Sequence, residues 1–204
     1  MGKGPILIDT REIDRLVLGL KGFEDEVGEA TFHALKRTIE HVKTQTGRIV
    51  SKEYSIPQKM VKETFKGGLK TKNSSSGLEV NLLSIGRTLT LARFPHSPIA
   101  PPARKKYKVK VAIKREGGRK VITSSPPPFI ATTGAKTLDK IQFNVFRREG
   151  KKRLPIKPLF TLSIPQMITN EKVAERIQEA ASKKLAERME HEIIYRMTKI
   201  KTSR

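Results

Sequence analysis

The sequence predicts an α+β fold, in which a mixed or antiparallel β-sheet carries a long N-terminal and a long C-terminal helix, together with extended arms. Towards both ends of the chain, apolar residues recur at spacings of three and four, whereas the middle alternates apolar and polar residues with a period of two. Clusters of proline interrupt the middle region. The length of 204 residues fits a single domain, 1–204, with extended arms at 93–106 and 123–128.

The first part of the chain is predicted to be a short strand followed by helices. Apolar residues at 6–8 indicate the strand, and Asp9 with Glu12 has capping-box spacing before a short helical pattern. A long amphipathic helix is predicted over 24–52, because apolar residues recur along one of its faces. That face carries Leu35, Ile39, Val42, Thr46 and Ile49.

A second short helix is predicted after the long one. Ser55 and Gln58 have the spacing of another capping box, with Pro57 in the first turn, where its missing N–H is not needed. This helix is expected to end near Phe65. The glycine- and serine-rich stretch at 67–77 is predicted to be a polar loop.

Period-two alternation predicts the strands of the sheet. Two strands are expected at 78–82 and 88–91, joined near 84–87, and two more at 129–131 and 141–145. The chain then returns to helix. "SIPQ" at 163–166 is a further capping box, and the last helix is predicted from about Asn170 to about Met197. Its apolar stripe consists of Val173, Ile177, Ala181, Leu185, Met189 and Ile193.

A basic β-hairpin is predicted over 106–122. Gly117 and Gly118 suit a type I′ turn, which needs positive φ at both central positions. One face of its first strand is apolar, with Tyr107, Val109, Val111 and Ile113. The other face is a series of lysines, which we call the lysine ladder: Lys106, Lys108, Lys110 and Lys114. Like charges at neighbouring cross-strand positions repel, so we expect a negatively charged partner to relieve them.

The net charge of +22 and the pI of about 10.4 make this hairpin the strongest functional candidate in the chain. Such a charge concerns partners and solubility and does not determine the fold. The hairpin could face a polyanion, an acidic neighbouring subunit, or solvent alone. A basic turn at 151–153 carries similar charge. The residues predicted to contact a polyanion or an acidic subunit are Arg104, Lys105, Lys106, Lys108, Lys110, Lys114, Arg115, Arg119, Lys120, Lys151, Lys152 and Arg153.

An enzyme is not predicted. The chain has no cysteine, no phosphate-binding glycine motif and no nucleophile elbow, so no cofactor, metal or small-molecule substrate is expected. "HEIIY" begins like a zinc-protease motif at His191, but Tyr195 stands where the second histidine ligand would be needed. No apolar run approaches the roughly 20 residues that span a bilayer, which predicts a soluble protein made in a cytoplasm.

The stretch "PPPFIATTGAK…VFRREGKKRLPIKPLFTLSIPQ" resembles the closing signature of the phage minor tail protein Z family. In that family an FIA segment precedes a VF-R strand, a basic turn, an LPI…LF extension and a helix start containing S-P. The corresponding positions here are 129–131, 145–147, 150–153, 154–160 and 163–165. The long helix, the short helix and the basic hairpin are also similar, so the resemblance covers about 24–197.

The resemblance implies a structural protein of the virion tail that acts in tail completion and assembly at the head-proximal end, where the tail joins the connector. It implies contacts with the tail tube, the tail terminator and the head–tail connector. It also implies a homo-oligomeric ring, with sixfold symmetry as the candidate order, assembled in the bacterial host cytoplasm. The lysine ladder would then face the DNA that threads the tail or the acidic walls of adjacent subunits. The alternative is a non-specific nucleic-acid-binding module that uses the basic hairpin.

Overall fold

The structure is a computed structural model that describes residues 2–6, 24–65, 70–74, 77–103, 106–137 and 140–202. These ranges contain four α-helices, α1 (Glu24–Glu53), α2 (Gln58–Lys62), α3 (Ile164–Ile168) and α4 (Glu171–Thr202), and a short 3-10 helix at Leu91–Arg93. They also contain eleven strands: β1 (Gly2–Ile6), β2 (Lys70–Ser74), β3 (Gly77–Gly86), β4 (Thr88–Thr90), β5 (His96–Ser97), β6 (Lys110–Val111), β7 (Lys120–Val121), β8 (Phe129–Thr137), β9 (Lys140–Arg148), β10 (Ile156–Pro158) and β11 (Phe160–Ser163). The sheets are small and antiparallel, and the predicted α+β class is confirmed.

The two long helices, α1 and α4, are the longest elements among the described residues, and both predictions of them are confirmed. They pack antiparallel, since Glu29 near the start of α1 pairs with Arg196 near the end of α4. Further along, Arg37 Nη1 lies 2.8 Å from an oxygen of the buried Glu192. The predicted apolar stripes meet between the helices, where the following α4 residues are almost fully buried: Val173, Ile177, Ala181, Leu185 and Met189.

The hydrophobic core has two parts. The larger part joins both long helices to α2, α3 and the strands, and Tyr54, Phe94 and Met167 are among its largest buried side chains. The smaller part lies only between the long helices, where Ala34 and Leu35 of α1 meet α4. Within the described residues, the start of α1 and the end of α4 therefore pack mainly against each other.

The two SIPQ segments fold differently. Ser163 caps α3 as predicted, because its Oγ accepts from Gln166 N and the Gln166 side chain accepts from Ser163 N. The capping box predicted at Ser55 is wrong. Its N–H instead donates to the Ile113 carbonyl at 2.9 Å, and Pro57 occupies the N-cap of α2 without a side-chain hydrogen bond. A tertiary contact therefore takes the donor that the local motif would have used.

The short helix also ends earlier than expected. α2 stops at Lys62, and Phe65 forms an isolated bridge to Ser84. The polar loop predicted at 67–77 is likewise wrong where the structure describes it, because β2 pairs along its length with β3. Of the strand predicted at 6–8, only residue 6 lies within the described residues, where it ends β1, which pairs with the other edge of β3. The predicted capping box at Asp9 and Glu12 lies outside the described residues.

The strands predicted at 78–82 and 88–91 do not pair with each other. β3 lies between β1 and β2, whereas β4 pairs with β11. The strands predicted at 129–131 and 141–145 are confirmed as the hairpin of β8 and β9, and β10 pairs with the outer edge of β9. In the segment 93–106, β5 adds a third strand to the predicted basic hairpin.

A pH-dependent contribution to stability is expected from His41, which lies between the long helices. Burial, followed by the charge of Lys184, holds the pKa of His41 below its ordinary value of 6.5. The unfolded chain therefore binds the proton more readily, so this contribution to stability is lost as pH falls through about 6.5 towards the lowered value. A His41→Gln variant should lose less stability than the wild type between about pH 7 and about pH 5, measured by urea unfolding. Parallel pH curves for the two proteins would contradict this.

Candidate functional site

The basic hairpin forms around the predicted glycine turn. β6 and β7 pair antiparallel, and the turn between them has φ of +82° at Gly117 and +61° at Gly118. A side chain at either position would be strained, because L-residues rarely adopt this conformation. The strands themselves are only two residues long, shorter than the predicted span of 106–122.

The hairpin presents one face to the core and one to solvent, as predicted. Val109 and Val111 are fully buried, and the Tyr107 hydroxyl accepts from the Ile130 backbone N–H of β8 at 2.8 Å. This contact fixes the apolar face against the β8–β9 hairpin. On the opposite face, all four members of the lysine ladder are exposed: Lys106, Lys108, Lys110 and Lys114.

The register corrects one expectation about the lysines. Lys110 lies opposite Val121 and Ser97, and Lys120 lies opposite the buried Val111. In β5, β6 and β7, lysines therefore do not oppose lysines, and the predicted direct cross-strand repulsion does not arise. Directly opposed residues share a face, so Lys120 also belongs to the opposite side of the sheet from Lys110. The ladder lies along one segment of the chain, with Lys110 in β6 and its other members on either side of that strand.

Two of the predicted contact residues are engaged with the end of α1. Lys114 Nζ lies 3.7 Å from Glu53 Oε1, and Arg115 Nε donates to the Ser51 carbonyl at 2.7 Å. The Arg115 backbone N–H also donates to the Glu53 carbonyl. A cation at a helix C-terminus stabilises the exposed carbonyls there. Burial, with a smaller contribution from Glu53, raises the pKa of the adjacent Tyr54, so its hydroxyl adds no negative charge near neutral pH.

Arg115→Gln is therefore expected to lower the free energy of unfolding by about 1–2 kcal/mol, the usual effect of losing a hydrogen bond from a charged donor. The matched control is Arg119→Gln in the exposed turn, where the described residues offer no hydrogen bond or ion pair. That variant should change stability by less than about 0.5 kcal/mol. Urea unfolding of both variants measures the difference. Equal effects would show that Arg115 does not hold α1.

The basic turn follows β9. Lys151, Lys152 and Arg153 are exposed, and the Arg153 carbonyl accepts from Arg148 Nη1 at 2.6 Å, which closes the turn. The Arg148 guanidinium also lies 5.1 Å from the centre of the Phe129 ring. Arg148 was not predicted as a site residue. The Arg-Arg pair in "VFRREG" is the only feature of the sequence that points to Arg148. Its position over the Phe129 ring depends on the pairing of β8 with β9.

Both basic segments are attached to the β8–β9 hairpin. Tyr107, between Lys106 and Lys108, is hydrogen-bonded to β8, and Phe129 of β8 is paired with Phe146, just before the basic turn. Arg104 and Lys105 lie outside the described residues. The described residues contain no cluster of three or more His, Asp or Glu arranged to hold a metal ion, and none of their helices is long and apolar enough to cross a membrane.

Comparison with protein families gives one decisive match. The profile of the prophage minor tail protein Z family matches residues 13–202, nearly the whole chain. The chain belongs to this family. Comparisons with curated proteins and with solved structures gave no significant match. Membership confirms the resemblance seen in the sequence and makes the chain a structural component of a phage tail, a role that implies contacts with other tail components.

Proposed function

We propose that this minor tail protein acts in tail completion at the head-proximal end of the tail. The observation that carries the proposal is the family match over residues 13–202. In this role the chain forms a homo-oligomeric ring, with sixfold symmetry as the expected order, and contacts the tail tube, the tail terminator and the head–tail connector. The role is non-enzymatic. The protein is assembled into the virion in the bacterial cytoplasm and needs no cofactor or small-molecule substrate.

The lysine ladder and the basic turn at 151–153 supply the contact with a negatively charged partner. Lys106, Lys108 and Lys110 are exposed, and none of them forms an ion pair with another described residue. Lys151 and Lys152 are likewise exposed and free of such pairs. Uncompensated charges of one sign on a surface attract an oppositely charged partner over a Debye length. Lys114 and Arg115 contribute less to this attraction because α1 already engages them.

Two partners fit this surface: the DNA that passes through the tail, and the acidic wall of a neighbouring subunit. The DNA contact would be non-specific. Among 106–122, Tyr107 is the only aromatic residue, and its hydroxyl is engaged by β8, so the hairpin offers no platform on which bases could stack. Attraction to phosphates requires only charge.

The test of the proposed role is electron microscopy of particles assembled without this chain. We expect filled heads and tails that have not joined, and we expect joining to be restored when the wild-type protein is supplied. Light scattering of the purified protein should give the mass of an oligomer rather than that of a monomer. Joined, infectious particles in the absence of the chain would contradict the proposal, and a monomer that binds DNA tightly would favour the nucleic-acid-binding alternative.

A further inference from the structure

β10, Leu159 and β11 follow one another as one extended strand. Among the described residues, only one of its two edges is hydrogen-bonded to other strands. Leu159 N donates to the Val145 carbonyl of β9 at 2.9 Å, and its carbonyl accepts from Leu91 N, next to β4, at 3.0 Å. The two polar groups of one strand residue point to the same edge. β9 and β4 therefore follow one another along the same side of this strand.

The side chain of Asn144 allows the strand to change its pairing partner from β9 to β4 at Leu159. Val145 N–H would ordinarily return a bond to the Leu159 carbonyl, but it donates to its neighbour Asn144 Oδ1 at 2.8 Å. The Leu159 carbonyl is thus free to accept from Leu91. The edge of the strand that faces β9 and β4, its inner edge, is therefore hydrogen-bonded first to β9 and then to β4.

The outer edge has no strand partner among the described residues. Pro158 protects its first half, because proline has no N–H to offer a neighbouring strand. β11, which follows, has no proline and keeps its outward backbone groups. An unpaired strand edge of this kind is a template for pairing with another chain.

The side chains of β11 make the same surface apolar. Phe160 is 55% exposed and Leu162 is 38% exposed, whereas Ser163 is buried. Both side chains therefore face outward, although the pairing of β11 with β4 shifts register between Phe160 and Ser163. Two large apolar side chains beside an unpaired edge fit an extended segment that carries apolar residues at alternate positions.

The charge around β11 indicates what kind of chain fits. The 71% exposed side chain of Lys157 precedes β11, and the basic turn at 151–153 lies just upstream. Upstream of β11 the nearest acid, Glu149, already pairs with Lys157, and the basic turn has no acid paired with it among the described residues. Downstream the nearest acid is Glu171, at the start of α4. A second copy of this chain, with its net charge of +22, would bring more positive charge to this surface. An acidic chain would be attracted to it.

We propose that the outer edge of β11 binds an extended segment of an acidic tail subunit by strand addition, with Phe160 and Leu162 receiving its alternate apolar side chains. The inference rests on the proposed role only in placing the partner within the tail. The contact is distinct from the lysine ladder, because it depends on backbone pairing and apolar burial and should persist when salt screens the charges.

Photo-crosslinking in purified particles tests it. A Phe160→p-benzoylphenylalanine variant is assembled into particles, irradiated, and the crosslinked peptides are sequenced. The expected product joins position 160 to an extended segment of a tail subunit with net negative charge. The same photoreactive group at Ile99, an exposed apolar position in the proline-rich segment, is the matched control and should not give this product.

A second variant pair measures the apolar contribution. Phe160→Ser with Leu162→Ser should lower incorporation into particles at least tenfold, whereas Ile99→Ser with Ile194→Ser, which also removes two exposed apolar side chains, should not. Crosslinks from position 160 to a second copy, or no crosslink in particles that contain the protein, would overturn the inference and leave the tail role intact. Absence of the wild-type protein from purified tails would instead overturn the proposed function.

Discussion

Met189→Asp is expected to lower the free energy of unfolding by more than about 3 kcal/mol. Met189 is fully buried between the long helices, where it packs with Ala34, Leu35 and Leu185. The shorter Asp side chain leaves a cavity, and burial removes the water that would hydrate its carboxylate. Among the described residues, the smaller core consists of these side chains and the partly buried Ile193, so few neighbouring contacts remain to compensate for the loss.

Urea unfolding measures this effect, and Ile194→Asp on the same helix is the matched control. Ile194 is 59% exposed, so a carboxylate there stays in water and should change stability by less than about 0.5 kcal/mol. An unchanged midpoint for Met189→Asp would show that α4 does not pack its stripe against α1.

The second large effect is expected from replacing Lys106, Lys108 and Lys110 together with glutamine. Alternate residues of an extended chain are about 7 Å apart, within the Debye length of about 8 Å at physiological salt, so these charges act together. Glutamine keeps the length and polarity of the exposed face, and the fold should therefore survive. Tail completion or retention of DNA should fall, with the largest loss relative to the wild type at low salt, and the difference should narrow at higher salt, where the wild-type lysines are themselves screened.

The salt dependence identifies the partner. If the lysines contact duplex DNA, the log–log slope of affinity against salt should shrink by about 0.9 for each lost phosphate contact, up to about 2.7 for three. If they contact an acidic subunit, ring assembly should weaken while DNA affinity hardly changes. The control replaces three exposed helical lysines, Lys36, Lys52 and Lys172, with glutamine. Full infectivity of the hairpin variant at every salt concentration would show that its lysines are only solvated.

The long helices could be predicted because their pattern is local and repeated. Apolar spacing over about four turns of α1 and about six turns of α4 identifies their buried faces whatever packs against them. The capping box at Ser163 was predictable for the same reason, since every atom it needs lies within four residues. The glycine turn of the basic hairpin is equally local, because it depends on φ at Gly117 and Gly118.

Features that depend on distant contacts were not predictable. Ser55 has the same local sequence as Ser163, but the Ile113 carbonyl takes its N–H. β2 consists of Lys, Thr, Asn and Ser, a composition typical of loops, and it is a strand because β3 offers it a free edge. The pairing of β4 with β11 joins segments about 70 residues apart, a separation that period-two alternation does not address.

The candidate site was predicted in part. Alternation along the first strand of the hairpin correctly placed Lys106, Lys108 and Lys110 on the exposed face, since the alternation is a local property. The engagement of Lys114 and Arg115 by α1 was not predicted, because nothing in the hairpin sequence indicates which helix end lies beside it.

The most direct test of the proposed role is a cryo-electron microscopy reconstruction of the intact particle. We expect a closed ring of this chain at the head-proximal end of the tail, with the face that carries Lys106, Lys108 and Lys110 against DNA or against an acidic neighbouring subunit. A particle in which the chain lies at the distal end, or in which that face points to open solvent throughout the ring, would contradict it.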